Sequence, residues 1–261
     1  MSSSSVRVER HDGWAVVAIT REAKRNAIDR DTRTALVTAF EELKGSARVI
    51  VLTGEGRSFC SGLDLKERER DKIEGRDTAS HEWIDVNLAI RAHPAVFIAA
   101  VNGIALGGGA TLISVCDLAV ASEEASIGCP EMGFATYPAM AGPGIQFSLS
   151  RKRAAWLVLT TNRIDGRIAE QWGLVNEAVP HERLLERASE LAAEIAKFDG
   201  VALAESKKAL DAIPLRLSDW ASALDYGQEV NAAIRAQTDA AAKGMSSFAA
   251  GERNPGQGTA R

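Results

Sequence analysis

The sequence predicts an α/β unit followed by an all-helical C-terminal stretch. Short continuous β-branched runs alternate with segments of helical periodicity up to about residue 180, which is the signature of layered strands and helices. At Pro180 the strand signal stops. Beyond it, apolar residues recur only at spacings of three and four, as on one face of a helix.

Val6–Arg10 and Trp14–Thr20 are two β-rich runs separated by His11-Asp12-Gly13, whose Asp-Gly pair favours a hairpin turn. Asp29 is placed to cap a helix running to about Leu43, with Leu36, Phe40 and Leu43 on one face. Arg48–Thr53 (RVIVLT), Val96–Val101 and Leu118–Ala121 lack alternation, as strands buried on both faces do. Gly107 onward has the composition of a short buried helix. Lys66–Ser80 is charged and aperiodic, so a loop or frayed helix is expected there. Leu184, Ala188, Leu191, Ile195 and Phe198 line one face of an amphipathic helix. Ala-rich helices follow to about Phe248, and Ala250–Arg261 reads as a mobile tail.

The chain of 261 residues is 46% hydrophobic and 25% charged, so it can bury a sizeable core under an ordinary polar surface. A net charge of −4 leaves no basic excess to neutralise a nucleic-acid backbone. Any phosphate-bearing ligand must rely on a few placed cations and helix N-termini. Cys60, Cys116 and Cys129 show no metal-ligand spacing and read as buried thiols in a reducing compartment. The four histidines are scattered, and no metal site is expected. Met1–Ser5 is a polar run without an apolar signal region, and residues 96–120 are too interrupted to span a membrane. A cytoplasmic protein is the expectation.

Two segments carry the chemical signal. One is SFCSGLDLKE (Ser58–Glu67). The other is VNGIALGGGATLISVCDLAVAS (Val101–Ser122), followed by SIGCPEMGF (Ser126–Phe134). A strand entering Gly107-Gly108-Gly109 and then a helix leaves free N–H groups at the positive end of a helix dipole. Glycine lets another atom approach that backbone, so the turn suits a phosphate or a developing oxyanion. The phosphate motifs themselves fail: there is no GxxxxGK[ST] run, and a GxGxxG reading from Gly107 meets Leu112. Taken alone, the glycine cluster reads equally well as a close chain crossing.

The ordered set of these segments resembles the crotonase superfamily, the enoyl-CoA hydratase/isomerase family. KRNAID (Lys24–Asp29), RIDGRIAEQWGLVNEAVP (Arg163–Pro180) and KGMSSFAAGERNP near the C-terminus extend the resemblance over nearly the whole chain. The resemblance implies a crotonase-like spiral of ββα units at 1–195, which binds acyl-CoA, and a helical trimerisation region at 196–261. It implies homotrimers or dimers of trimers. It also implies an oxyanion hole built from the backbone N–H groups of Leu63 and Gly108. Coenzyme A would enter as part of the thioester substrate, with no separate cofactor. Its binding would involve Lys24, Arg25, Ser61, Asp64, Leu65 and Lys66, although the cations among them also read as ordinary surface charges. No nucleic acid or membrane partner is expected.

The chain departs from the family hydratases at one position. They place two glutamates around the reacting carbons, whereas here Thr111 stands where the first belongs and only Glu131 is present. Threonine cannot act as a base near neutral pH, although its hydroxyl can orient water. One carboxylate suffices for a double-bond isomerase, or for a hydratase/lyase acting on an activated thioester. An ordinary enoyl-CoA hydratase and a non-catalytic acyl-CoA-binding oligomer remain as alternatives. Tyr137 is a candidate proton donor or acyl-pocket wall, though packing would also account for it. His81 and Trp83 fall in a variable segment that often covers the acyl chain in the family, His81 reading as a surface residue. His93 reads as structural, and Asp64 as a turn-stabilising carboxylate.

Overall fold

The computed structural model describes residues 5–252. β1 (Val6–Arg10) and β2 (Trp14–Ile19) form the antiparallel hairpin. A tight turn then leads to α1 (Arg30–Leu43), where the Asp29 carboxylate accepts from Thr32 N–H at 2.9 Å. Next come β3 (Val49–Gly54), β4 (Ser58–Cys60), α2 (Leu65–Ile73) and α3 (Ala79–Ala92). β5 (Val96–Val101), β6 (Ile104–Leu106) and α4 (Gly108–Val115) follow. β7 (Leu118–Ser122) and β8 (Ser126–Gly128) come next, then a 3-10 turn at Pro130–Phe134. The chain continues through α5 (Ala141–Ser148), α6 (Arg151–Thr160), α7 (Gly166–Trp172) and β9 (Glu177–Val179). It ends in α8 (Leu184–Ile195), α9 (Gly200–Arg216), α10 (Trp220–Gln237) and α11 (Ala240–Ala249).

The strands divide between two sheets, ordered β1-β2-β3-β5-β7-β9 and β4-β6-β8. Each of β3, β5 and β7 in the large sheet is followed at once by a short strand in the small sheet and then by helix. Three such turns wind the chain into a spiral of ββα units, the arrangement the resemblance implied. Among the described residues every strand–strand pairing apart from the hairpin is parallel, and one isolated antiparallel bridge joins Ile127 to Ile164.

The large sheet is covered on both faces. Ile50, Leu52, Phe97 and Ala99 join the main core with Leu36 and Phe40 of α1. Val49, Val51, Val96 and Ile98 pack instead against Leu184, Ala188 and Ala192 of α8. Two apolar faces explain why these strands read as unbroken hydrophobic runs rather than as alternating ones. The side-chain amide of Asn102 donates to the carbonyls of Gly54 and Gly56 at 2.8 and 2.7 Å, pinning the crossover from β3 to β4.

Two local expectations need correcting. Lys66–Ser80 is mostly helical, in α2 and the start of α3. Asp64 caps α2, and charges of this run are answered by distant partners: Arg33 pairs with Glu67 at 3.1 Å, and Arg30 with Asp71 at 3.3 Å. A helix packed through ion pairs shows no apolar period. The helix from Leu184 stops at Ile195, short of Phe198, because Asp199 opens α9 by accepting from Ala202 N–H. Most of the tail expected to be mobile, from residue 253 on, lies outside the described residues.

α9 is fastened to the core by a buried cation. Lys207 Nζ lies 2.9 Å from Asp117 Oδ2 and donates to the carbonyls of Ile90 and Ala95, each at 2.9 Å. Removing one member of a buried pair strands the other, which typically costs about 3–5 kcal/mol. Lys207→Ala should therefore lower the unfolding free energy by about that amount, read by urea denaturation at fixed protein concentration. A change under about 1 kcal/mol would show that the pair does not hold α9 in place.

Candidate active site

The site forms where two parallel strands end side by side. β4 and β6 pair Ser58 with Ile104 and Cys60 with Ala105, and each chain then turns at a glycine. Gly62 has φ +93°, and a Cβ there would lie 2.9 Å from Leu106 O and 3.2 Å from Gly108 N, so no other residue fits. On one side, Ile28 N–H donates to Gly62 O at 2.8 Å and Asp64 N–H donates to Ile28 O at 2.9 Å. This bridge leaves the Leu63 N–H facing the opposite way, as alternate residues of a paired strand do. Among the described residues it has no acceptor. Gly108 is the first residue of α4, and its N–H is likewise unpartnered, as first-turn donors are. Two backbone donors thus face one cavity at the positive end of a helix.

Glu131 supplies the charge. It sits in the 3-10 turn after Pro130, and a Cβ on Gly107 (φ +52°) would lie 2.6 Å from its Oε1. The carboxylate therefore rests against the peptide that carries the Gly108 donor. Its Oε2 is buried with no hydrogen-bond partner among the described residues. Burial pushes the Glu131 carboxyl above the usual carboxylate range, and only a bond from its own backbone N–H opposes the shift. Glu131 is the one carboxylate among the described residues that line this cavity of about 560 Å³.

Ser61, Leu63, Leu65, Gly108, Glu131 and Tyr137 all line the same cavity. Tyr137 is half exposed, and its hydroxyl accepts from Gln146 Nε2 at 2.8 Å. Lys24 and Arg25 lie at the edge through their backbone: Ser61 N–H donates to Arg25 O at 3.0 Å, and the Ser61 hydroxyl donates to Lys24 O at 3.4 Å. Lys24, Arg25 and Lys66 have no ion partner among the described residues.

Other residues singled out in the sequence lie elsewhere. Thr111 is 5% exposed, does not line the cavity, and donates its hydroxyl to Gly107 O at 3.2 Å within its own helix. Asp64 faces α2 rather than the cavity, accepting from Lys66 and Glu67 N–H and pairing with Arg21 at 3.2 Å. Burial works against its ionisation, yet the Glu67 and Lys66 N–H bonds and Arg21 outweigh it and hold the carboxyl below the usual range. His81 is exposed and away from the cavity. His93 is buried, donating from Nε2 to Phe40 O and accepting from Ala95 N–H at Nδ1, each at 3.0 Å. All three cysteines are buried thiols, and burial pushes Cys60 and Cys129 up to about 12.

Two residues on the cavity wall, Arg68 and Lys72, had no assigned role in the sequence, and a third, Trp83, was placed only in a segment that often covers the acyl chain. Arg68 and Lys72 project from α2 into its rim, one turn apart. Their helical spacing was hidden because the run had no apolar period. Trp83 of α3 also lines the cavity, and its buried indole nitrogen has no partner among the described residues.

Known proteins are similar to this chain in sequence and architecture. The family model for enoyl-CoA hydratase/isomerase matches residues 9–255. The hydroxycinnamoyl-CoA hydratase-lyase of Pseudomonas fluorescens is 31% identical over 215 residues, 78% of this chain and 76% of that protein. The 2,3-dehydroadipyl-CoA hydratase of Escherichia coli is 33% identical over 212 residues, 79% of this chain and 82% of that protein. Among solved structures, an enoyl-CoA hydratase from Mycobacterium smegmatis superposes with a TM-score of 0.87. It has 28% identity and covers 96% of this chain and 98% of that one.

A raised carboxyl pKa has a defined stability consequence. The folded state holds the proton more tightly than the unfolded chain, so stability falls as pH rises from the ordinary glutamate value through the folded one. Glu131→Gln should therefore lose less stability than the parent as pH rises above the ordinary glutamate value of about 4.3. A ¹³C NMR titration of the Glu131 carboxyl should show its midpoint above about 4.3. A midpoint at or below that value would contradict the burial argument.

Proposed function

The chain belongs to the enoyl-CoA hydratase/isomerase family, and from that membership and its cavity we propose that it forms the enolate of an acyl-CoA thioester with Glu131 as its single general acid/base. The observation that carries this is the placement of a half-buried carboxylate, whose Oε2 has no partner among the described residues, beside two backbone N–H groups likewise unpartnered among them. Leu63 and Gly108 N–H donate to the thioester oxygen, where negative charge builds as the α-proton leaves. Each such donor is typically worth about 2.7–4 kcal/mol to the transition state. Glu131, with its raised pKa, is suited to taking that proton and giving it back near neutral pH.

A single carboxylate narrows the reaction to two kinds. In an isomerase, Glu131 takes the proton from the carbon next to the thioester and returns it two carbons away, shifting the double bond. In a single-glutamate hydratase/lyase, it takes a proton from water as the oxygen adds to an activated double bond, then delivers a proton to the α-carbon. The hydratase-lyase relative that acts on hydroxycinnamoyl-CoA supports the second kind. The coenzyme phosphates are assigned to Lys24, Arg25 and Lys66 at the cavity edge, joined by Arg68 and Lys72 on its wall. No helix among the described residues is long and apolar enough to cross a membrane, and we read the enzyme as cytoplasmic.

The partner of the C-terminal helices is taken to be a second copy of this chain. α10 and α11 contain no buried residue, and Trp220, Leu224, Met245 and Phe248 are each more than half exposed. Large apolar side chains of this kind are normally covered in an assembly. A trimer or dimer of trimers is expected by light scattering at micromolar concentration, and a monomeric mass would overturn the assignment.

Exchange of the α-protons of butyryl-CoA in D₂O, followed by mass spectrometry, tests enolate formation without knowledge of the natural acyl group. Glu131→Gln should slow it by about 10²–10⁴-fold while acyl-CoA affinity stays near that of the parent. Exchange within tenfold of the parent would remove Glu131 as the principal base. A panel of 2-enoyl-, 3-enoyl-, aryl- and hydroxyacyl-CoA thioesters then separates the two reactions: an added water or a lost aldehyde marks the hydratase/lyase, and unchanged mass with altered absorbance marks the isomerase.

A further inference from the structure

Trp83 is 0% exposed, yet its indole Nε1 has no hydrogen-bond acceptor among the described residues. Trp83 is among the residues that line the cavity. The position a Cβ on Gly108 would take lies 3.3 Å from Trp83 Nε1 and 3.5 Å from Leu63 N. The indole nitrogen therefore sits against the same glycine whose backbone N–H is one of the two donors. Phenylalanine would fill a purely apolar position here without burying an orphan donor, and buried polar groups are rarely left unpaired without a role.

The ring is fully buried, and the helix turn that carries it is anchored. Glu82, the residue before it, is gripped by Arg33 at 2.8 Å and by Arg30 at 3.4 Å, and Asn87 Nδ2 donates to the Trp83 carbonyl at 2.6 Å. A donor fixed in this way needs no reorganisation when charge develops beside it, which is the condition for electrostatic catalysis. An indole N–H also donates without giving up its proton at any working pH.

We propose that Trp83 Nε1–H is a third, side-chain donor to the thioester oxygen, completing the pair formed by Leu63 and Gly108. The proposal rests on reading this cavity as an enolate site and adds a residue to it. A third donor makes the α-proton more acidic, which suits a site with a single carboxylate on its wall.

The test uses cinnamoyl-CoA, whose conjugated thioester absorbs at longer wavelength when its carbonyl oxygen accepts hydrogen bonds. The parent should shift this absorbance to the red on binding. Trp83→Phe should bind with similar affinity, show a smaller red shift, and exchange the α-protons of butyryl-CoA on the order of 10- to 100-fold more slowly in kcat with KM little changed. If that variant does not fold, 3-benzothienylalanine at position 83 replaces the N–H by sulfur in a ring of nearly the same shape, with the same expectation. A red shift equal to the parent's in a folded variant overturns the role of Trp83 and leaves the enolate site standing. The absence of any shift in the parent saturated with cinnamoyl-CoA overturns both the role and the reading it rests on.

Discussion

The site depends on one close approach, that of the Gly62 backbone to Leu106 and Gly108. Two parallel strands of three residues each, β4 and β6, end together, and the chains leaving them would collide if either turn carried a larger residue. Their closeness turns two unremarkable N–H groups into a convergent pair. Much of the surrounding structure keeps that approach fixed. Ile28 bonds the peptides on either side of Leu63, Asn102 ties the crossover that delivers β4, and Asp64 starts α2 at once, so the chain cannot drift after Leu63. The large sheet and α8 contribute no group to the cavity, but their packing sets where the short strands end.

Buried charges away from this point find ionic partners. Arg33, 2% exposed, meets both Glu67 and Glu82, and Lys207 meets Asp117 and two carbonyls. These buried charges are answered, as they must be for the fold to tolerate them. At the cavity the opposite holds: Leu63 N–H, Gly108 N–H, Trp83 Nε1 and Glu131 Oε2 are left open together. Four unanswered groups lining one space are costly to the fold, and a ligand that presents an oxygen and an acidic C–H answers them.

How much of this was legible in the sequence follows from the length over which each signal repeats. β3 and β5 announce themselves because six consecutive residues are buried in each. α1 does so because its cap and its apolar period agree. The small sheet was invisible: strands of three residues next to glycine carry no period, and only the ordered motifs implied the spiral that contains them. Leu63, Gly108 and Glu131 could be named from those motifs, whereas the closeness of Glu131 to Gly107 is a property of three dimensions. α2 was missed because its packing face is charged. The orphan state of Trp83 cannot be read from sequence at all, since it is defined by the acceptors that are not there.

The same reasoning bears on Thr111. A hydroxyl in a helix interior commonly turns back to the carbonyl four residues earlier, and Thr111 does so with Gly107 O. It is thereby committed to the peptide that shapes the left-handed turn and is withdrawn from the cavity wall. The position that would carry a second carboxylate in a two-glutamate site instead reinforces the turn on which the first donor depends. In the proposed reaction, proton transfer would fall to Glu131 and charge stabilisation to the N–H groups around Gly108.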